Sequence, residues 1–141
     1  MITVHWDSYK YIMQLSIYSE KFTCNELEKI FWLPVDNVFK KWDRYKDSNI
    51  LYQKNEIRIN YKWEYDDISI DKYFEYILFI IKWKELTFQE YKKDCEYQLS
   101  FVIYATNEPP LHFSSEILFQ LWAFWIELDI DQYINKNSND E

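Results

Sequence analysis

From Tyr11 to Tyr18 every second residue is large and apolar, which puts Tyr11, Met13, Leu15 and Ile17 on one face of a strand. Residues 56–65 alternate without a break: Ile57, Ile59, Tyr61, Trp63 and Tyr65 fall on one face, and Glu56, Arg58, Asn60, Lys62 and Glu64 on the other. This is the clearest strand in the chain. A third run, Tyr97 to Tyr104, sets Tyr97, Leu99, Phe101 and Ile103 inward. Val102 and Tyr104 make its opposite face partly apolar, so a central place in the sheet is expected. Leu128 to Ile134 reads as a final strand.

Helical spacing separates these runs. Thr23-Cys24-Asn25-Glu26 is a capping box, and Phe22 with Leu27 forms a hydrophobic staple across it, so one helix start is specified twice. Leu27, Ile30 and Phe31 then face the core until Pro34 ends or redirects the helix. Asp66, Asp67 and Ser69 offer caps for a second helix, in which Ile70, Tyr73, Phe74, Ile77, Leu78 and Ile81 form a stripe. Thr87-Phe88-Gln89-Glu90 is a further capping-box match. Ser114-Ser115-Glu116 opens a third helix, with Ile117, Leu118, Leu121, Trp122 and Trp125 along one side. Residues 35–55 mix Lys40, Lys41, Arg44 and Lys46 with Asp36, Asp43 and Asp47, and suit a helical turn followed by a loop. The predicted fold is α+β: one domain over residues 1–134, a mixed sheet of four or more strands with about three helices packed on it, and a polar tail at 135–141.

Composition narrows the chemistry. The 141 residues contain no glycine, which excludes the Rossmann fingerprint, the P-loop and the nucleophile elbow. Positive φ is then expected at Asn or Asp, such as Asn37, Asn49, Asn55 or Asn107. Cys24 and Cys95 match no redox or zinc spacing and read as reduced, partly buried thiols. The N-terminus lacks a basic region followed by a long apolar stretch, and the longest apolar run, Tyr76 to Ile81, is far too short to span a membrane. A cytoplasmic bacterial protein is expected, with no cofactor.

The net charge of −8 is unevenly distributed: residues 1–63 sum to +2, residues 64–105 to −4 and residues 106–141 to −6. Such a surface repels nucleic acid and anionic lipid and attracts cationic proteins. Two acidic groups stand out. Glu127, Asp129 and Asp131 alternate along the last strand and aim three carboxylates at one face, followed by Tyr133. They suit a basic partner, a hard cation, or a solvated edge that blocks strand pairing. Glu64, Asp66, Asp67 and Asp71, with Glu75, cluster at a strand-to-helix junction, where stabilisation of the helix N-terminus also accounts for Asp66, Asp67 and Asp71. His5 and His112 have no ligand partners at metal spacing. Trp32, Trp42, Trp63, Trp83, Trp122 and Trp125 belong to the core by default, although some could serve as interface anchors.

The segments Ser115-Glu116-Ile117-Leu118 and Leu128-Asp129-Ile130-Asp131-Gln132-Tyr133 carry a resemblance. With the Leu15-Ser16-Ile17 strand and the Glu26-to-Pro34 helix, the chain resembles a bacterial domain family of unassigned function. Members of that family end in a Ser-Xaa-Glu-Leu-Leu helix and a Leu-Asp-Ile-Asp-Xaa-Tyr strand, and have glycine near the positions of Trp32 and Trp42. Small proteins of this type resemble immunity proteins encoded beside toxins of contact-dependent growth inhibition or other polymorphic toxin systems. The resemblance implies a protein partner, a cognate toxin domain, and brings no catalytic residues. Together with the charge asymmetry it leads to the expectation of an immunity protein, not an enzyme, that binds a basic nuclease toxin through Glu64, Asp66, Asp67, Asp71, Glu127, Asp129, Asp131 and Tyr133. Alternatives are an acidic nucleic-acid mimic that inhibits a defence enzyme, a divalent-metal hydrolase using Glu127, Asp129 and Asp131, and an aromatic-lined small-molecule pocket.

Overall fold

The alternating runs become strands of one mixed sheet in the computed structural model, which describes residues 9–63, 70–105 and 111–134. Strand β1 (Tyr9–Ser19) is followed by helix α1 (Cys24–Phe31), β2 (Asn37–Phe39) and β3 (Asn55–Trp63). Then come α2 (Ile70–Ile81), α3 (Glu85–Glu90), β4 (Glu96–Ala105), α4 (Ser115–Ala123) and β5 (Ile126–Ile134). The strand order is β2-β3-β1-β4-β5, with β4 and β5 parallel and the other neighbours antiparallel. The α+β class is as expected, with four helices where about three were foreseen.

The central strand is β1; β4 is flanked by β1 and β5. The partly apolar outer face of β4 therefore reflects something other than burial between two layers: Tyr104 there is exposed. Residues 35–55 also differ from expectation. Instead of a helical turn, residues 37–39 pair with residues 56–58 of β3, and the returning loop closes through a bridge between Arg44 and Leu51. Edge pairing satisfies backbone groups that an isolated turn would leave to water. The Asp36 amide donates to the Arg58 carbonyl at 2.9 Å, and the Asp36 carboxylate accepts from the Asn60 amide at 2.7 Å.

The capping box of α1 forms as read: Thr23 Oγ1 accepts from the Glu26 amide, and Glu26 accepts from the Thr23 amide. The one foreseen at Thr87 does not form, because α3 begins two residues earlier, leaving Thr87 inside the helix. Ser114 caps α4 through the Ile117 amide. Of the α4 stripe, only Ile117 and Leu121 are buried; Leu118, Trp122 and Trp125 face outward. The α2 stripe is buried throughout, and Asp66, Asp67 and Ser69, its expected caps, lie outside the described residues.

All four helices supply side chains to the same face of the sheet. Phe101 sits at its centre, stacked on Tyr11 at 5.5 Å and flanked by Tyr73 and Phe74 at 5.9 and 5.7 Å. Phe31 and Phe88, from α1 and α3, meet each other at 5.2 Å and Tyr97 of β4 at 5.7 and 4.5 Å. Each such side chain contributes about 1.5–3 kcal/mol by leaving water, with edge-to-face ring contacts adding to that.

Positive φ occurs, among the described residues, at Trp32, Trp42, Lys46 and Trp125, not at Asn37, Asn49 or Asn55; Asn107 lies outside the described residues. The cause at Trp32 is the end of α1: its amide donates to the Glu28 carbonyl at 2.9 Å in a left-handed cap with φ 44°. A side chain in that region costs roughly 1–2 kcal/mol, which glycine would not incur. Trp32 is exposed and contributes little burial, so Trp32→Gly should raise stability by about 1 kcal/mol in urea unfolding. A loss of stability would show that the indole makes a contact worth more than the backbone strain.

Both cysteines are free and buried. Burial pushes the Cys95 thiol from its ordinary 9.0 up to about 11, against a weaker pull downward from the Ser19 hydrogen bond. The Tyr73 and Tyr97 phenols are also shifted upward, chiefly by burial. Groups whose folded values exceed their unfolded ones stabilise the fold fully below the unfolded value, and that contribution is lost as pH rises towards the folded one. The melting temperature should therefore fall between about pH 9 and pH 11, and less steeply in Cys95→Ala. Thermal melts across that range check this, and identical slopes would remove Cys95 from the account.

Candidate functional site

With every helix on one side, the opposite face of the sheet is left without cover from any described element. Cross-strand register orders its side chains into rows. One row runs Asn37, Arg58, Ser16, Gln98, Glu127; the next runs Asn60, Gln14, Ser100, Asp129. Beyond them Ile12 and Val102 lead to Asp131, and Lys10 and Tyr104 lead to Tyr133. Charge thus accumulates at one margin. Glu127, Asp129 and Asp131 occupy alternate positions of the edge strand β5, about 6–7 Å apart, and all are exposed.

None of these three carboxylates forms an ion pair or hydrogen bond with another described residue; the ion pairs among the described residues, Lys21–Asp94, Lys54–Glu96 and Arg58–Glu56, lie elsewhere. The adjoining β4 residues Gln98, Ser100 and Val102 carry no charge. Three like charges in a line repel one another, and an incoming cation relieves that repulsion. Tyr133 extends the stripe. Its ring stacks on Tyr104 at 5.2 Å with 18° between planes, and both rings are exposed, giving a flat aromatic platform beside the carboxylates.

At the other end of the same face lies a closed polar group. Glu56, almost fully buried, accepts from Ser16 Oγ at 2.9 Å and from Arg58 Nε at 2.7 Å, and the Arg58 guanidinium lies 4.4 Å from the centre of the Phe39 ring. The carboxylate and guanidinium satisfy each other, so this corner offers no open charge. It is a structural lock between β1, β2 and β3.

Asp71 belongs to α2, on the helix layer, whereas the β5 carboxylates point away from that layer; Glu64, Asp66 and Asp67 lie outside the described residues. The β5 carboxylates are spread along a strand rather than gathered about a point. Among the described residues no three His, Cys, Asp or Glu side chains come close enough to hold a metal ion. His112 is exposed, and His5 lies outside the described residues.

The tryptophans correct the expectation most sharply. Trp32, Trp42, Trp83, Trp122 and Trp125 are 51–88% exposed, and among the described residues the large aromatics of the core are Phe and Tyr; the side chain of Trp63 lies outside the description. Lysines lie over four of those indoles: Lys41 over Trp42 and Lys82 over Trp83 at 5.0 Å, Lys84 over Trp32 at 6.0 Å and Lys92 over Trp125 at 4.0 Å. An indole in water beside an ammonium group is partly compensated by cation–π attraction. Tyr104 and the Ser16–Glu56–Arg58 group were missed in the sequence. The signal for the latter was present: Glu56 and Arg58 stand two apart, hence on one face of an unmistakable strand.

The fold and its uncovered face define a single-sheet α+β domain whose open face is polar and carries a line of carboxylates along its β5 edge. The chain belongs to the family described as Domain of unknown function (DUF4279), whose model matches residues 8–135. No curated protein and no solved structure matches it. No helix among the described residues is long and apolar enough to cross a membrane.

Proposed function

We propose that this protein works by binding another protein, as an immunity protein that occupies a cationic, nuclease-type toxin domain and keeps it from its substrate. The observation that carries this reading is the β5 stripe: Glu127, Asp129 and Asp131 in line, free of ion pairs with described residues, beside the exposed Tyr104–Tyr133 platform. A surface that binds nucleic-acid phosphates carries lysine and arginine, and a line of carboxylates on a rigid sheet meets the same side chains. The excess negative charge of residues 106–141 would speed encounter at low salt. Docking would then bury about 800 Å² per partner, with Tyr133 and Tyr104 as aromatic anchors at the centre of contact.

The test is co-expression with toxin domains encoded next to this protein, scored by cell survival and by salt-dependent association of the purified pair. Rescue from one neighbour, with a complex that weakens as salt rises, is the expected result. No rescue by any neighbour, or association that strengthens with salt, overturns the reading.

A further inference from the structure

The helix layer carries a second surface, unconnected with the β5 stripe. Between α2 and α4 runs a groove of about 680 Å³. Leu78, Ile117 and Phe124 lie in it as buried core side chains, while Phe79 and Phe119, 74% and 64% exposed, border it. Phe79 falls off the buried stripe of α2, and Phe119 off that of α4, so neither is needed to hold the two helices to the sheet. Large apolar groups in water on facing helices mark an interaction surface.

We infer that this groove docks a basic amphipathic helix of a partner protein. Charge decides the occupant. Four carboxylates, Asp71, Glu75, Glu85 and Glu116, border the groove against one ammonium, Lys82, and that ammonium lies over the Trp83 ring at 5.0 Å. No described base forms an ion pair with any of the four. A helix with an apolar stripe at i, i+3, i+4 and i+7 and lysine or arginine on its flanks answers both features, apolar against Phe79 and Phe119, cationic against the rims. With its 12 residues α2 is about 18 Å long, which accommodates roughly three turns of such a helix.

Other occupants fit less well. A second copy of this chain would set carboxylate rim against carboxylate rim in a two-fold contact. The chain's own residues 135–141 carry two acids and one base, the wrong balance for the groove. Nucleic acid and anionic lipid bring negative charge to a negative rim.

A synthetic peptide of about 15 residues, leucine and lysine with leucine at i, i+3, i+4 and i+7, is the probe, titrated by calorimetry against the full chain. Its control is the same composition shuffled so that no stripe remains. Saturable binding is expected, at least tenfold tighter than the shuffled peptide. Binding should weaken at least tenfold in Phe79→Ala/Phe119→Ala, and also in Glu75→Lys/Glu116→Gln, and should be unchanged in Asp129→Asn/Asp131→Asn on the opposite face. The charge variant keeps the test decisive should the double phenylalanine variant not fold. Absence of saturable binding, equal affinity for both peptides, or loss confined to the β5 variant overturns the inference. Sedimentation showing a dimer that Phe119→Ala dissociates would assign the groove to a second copy and overturn it as well. Loss of peptide binding in the groove variants leaves the sheet-face reading untouched, because that reading is tested on a different surface and with a different partner.

Discussion

Phe101→Ala is expected to destabilise the protein by about 3–5 kcal/mol, the largest effect of any single truncation considered. Phe101 is fully buried at the middle of β4, and its ring contacts Tyr11 of β1 and Tyr73 and Phe74 of α2. Removing it loses the transfer free energy of the ring and opens a cavity where sheet and helix layer meet, and neighbouring rings of fixed shape refill such a space poorly. Domains of this size have about 5–15 kcal/mol in hand, so the variant would sit near the edge of folding at 37 °C. Urea unfolding with the slope compared to wild type checks it. Phe119→Ala is the control, because an exposed ring should change stability by no more than about 0.5 kcal/mol. Comparable losses from both would mean that Phe119 belongs to the core.

Reversing the stripe with Asp129→Lys and Asp131→Lys is expected to weaken the proposed complex with a toxin domain by about 10²–10³-fold, or roughly 3–4 kcal/mol. The same change should alter folding stability by no more than about 0.5 kcal/mol, because both positions are exposed and unpaired and removal of like-charge repulsion offsets any loss of strand preference. Affinity by calorimetry and stability by urea unfolding are measured on the same preparation. The decisive feature is the contrast: a large loss of binding with intact folding. A small loss of binding in a folded variant would place the contact away from β5.

Much of this architecture is legible in residue spacing, for a physical reason. Strand faces have period two and helix faces 3.6, so the buried sets of β1, β3, β4 and α2 are written directly into the order of residues. Thr23 and Ser114 announce helix starts because side-chain oxygens must satisfy amides that the helix leaves unpaired. What escapes is tertiary. β2 spans three residues and owes its existence to pairing with β3. Positive φ falls on Trp32 because the end of α1 demands it, whatever residue stands there. The tryptophans mislead because burial preference is a statement about apolar area, and it does not register where the chain turns: Trp32, Trp42, Trp83 and Trp125 stand at helix ends and turns, and only Trp122 lies on the outer side of a helix. Within the candidate site, period two correctly aligned Glu127, Asp129, Asp131 and Tyr133. The partner tyrosine, Tyr104, required the parallel pairing of β4 with β5, which the sequence does not state.

In the proposed function the uncovered sheet face is the working surface. Carboxyl labelling with carbodiimide and glycine ethyl ester, read by mass spectrometry on the free chain and on its complex with the proposed protein partner, measures this residue by residue. The predicted result is a several-fold drop in labelling at Glu127, Asp129 and Asp131 on binding, with Glu20, Glu26 and Asp43, exposed elsewhere, unchanged. Unaltered labelling at those three β5 positions in a saturated complex would contradict it.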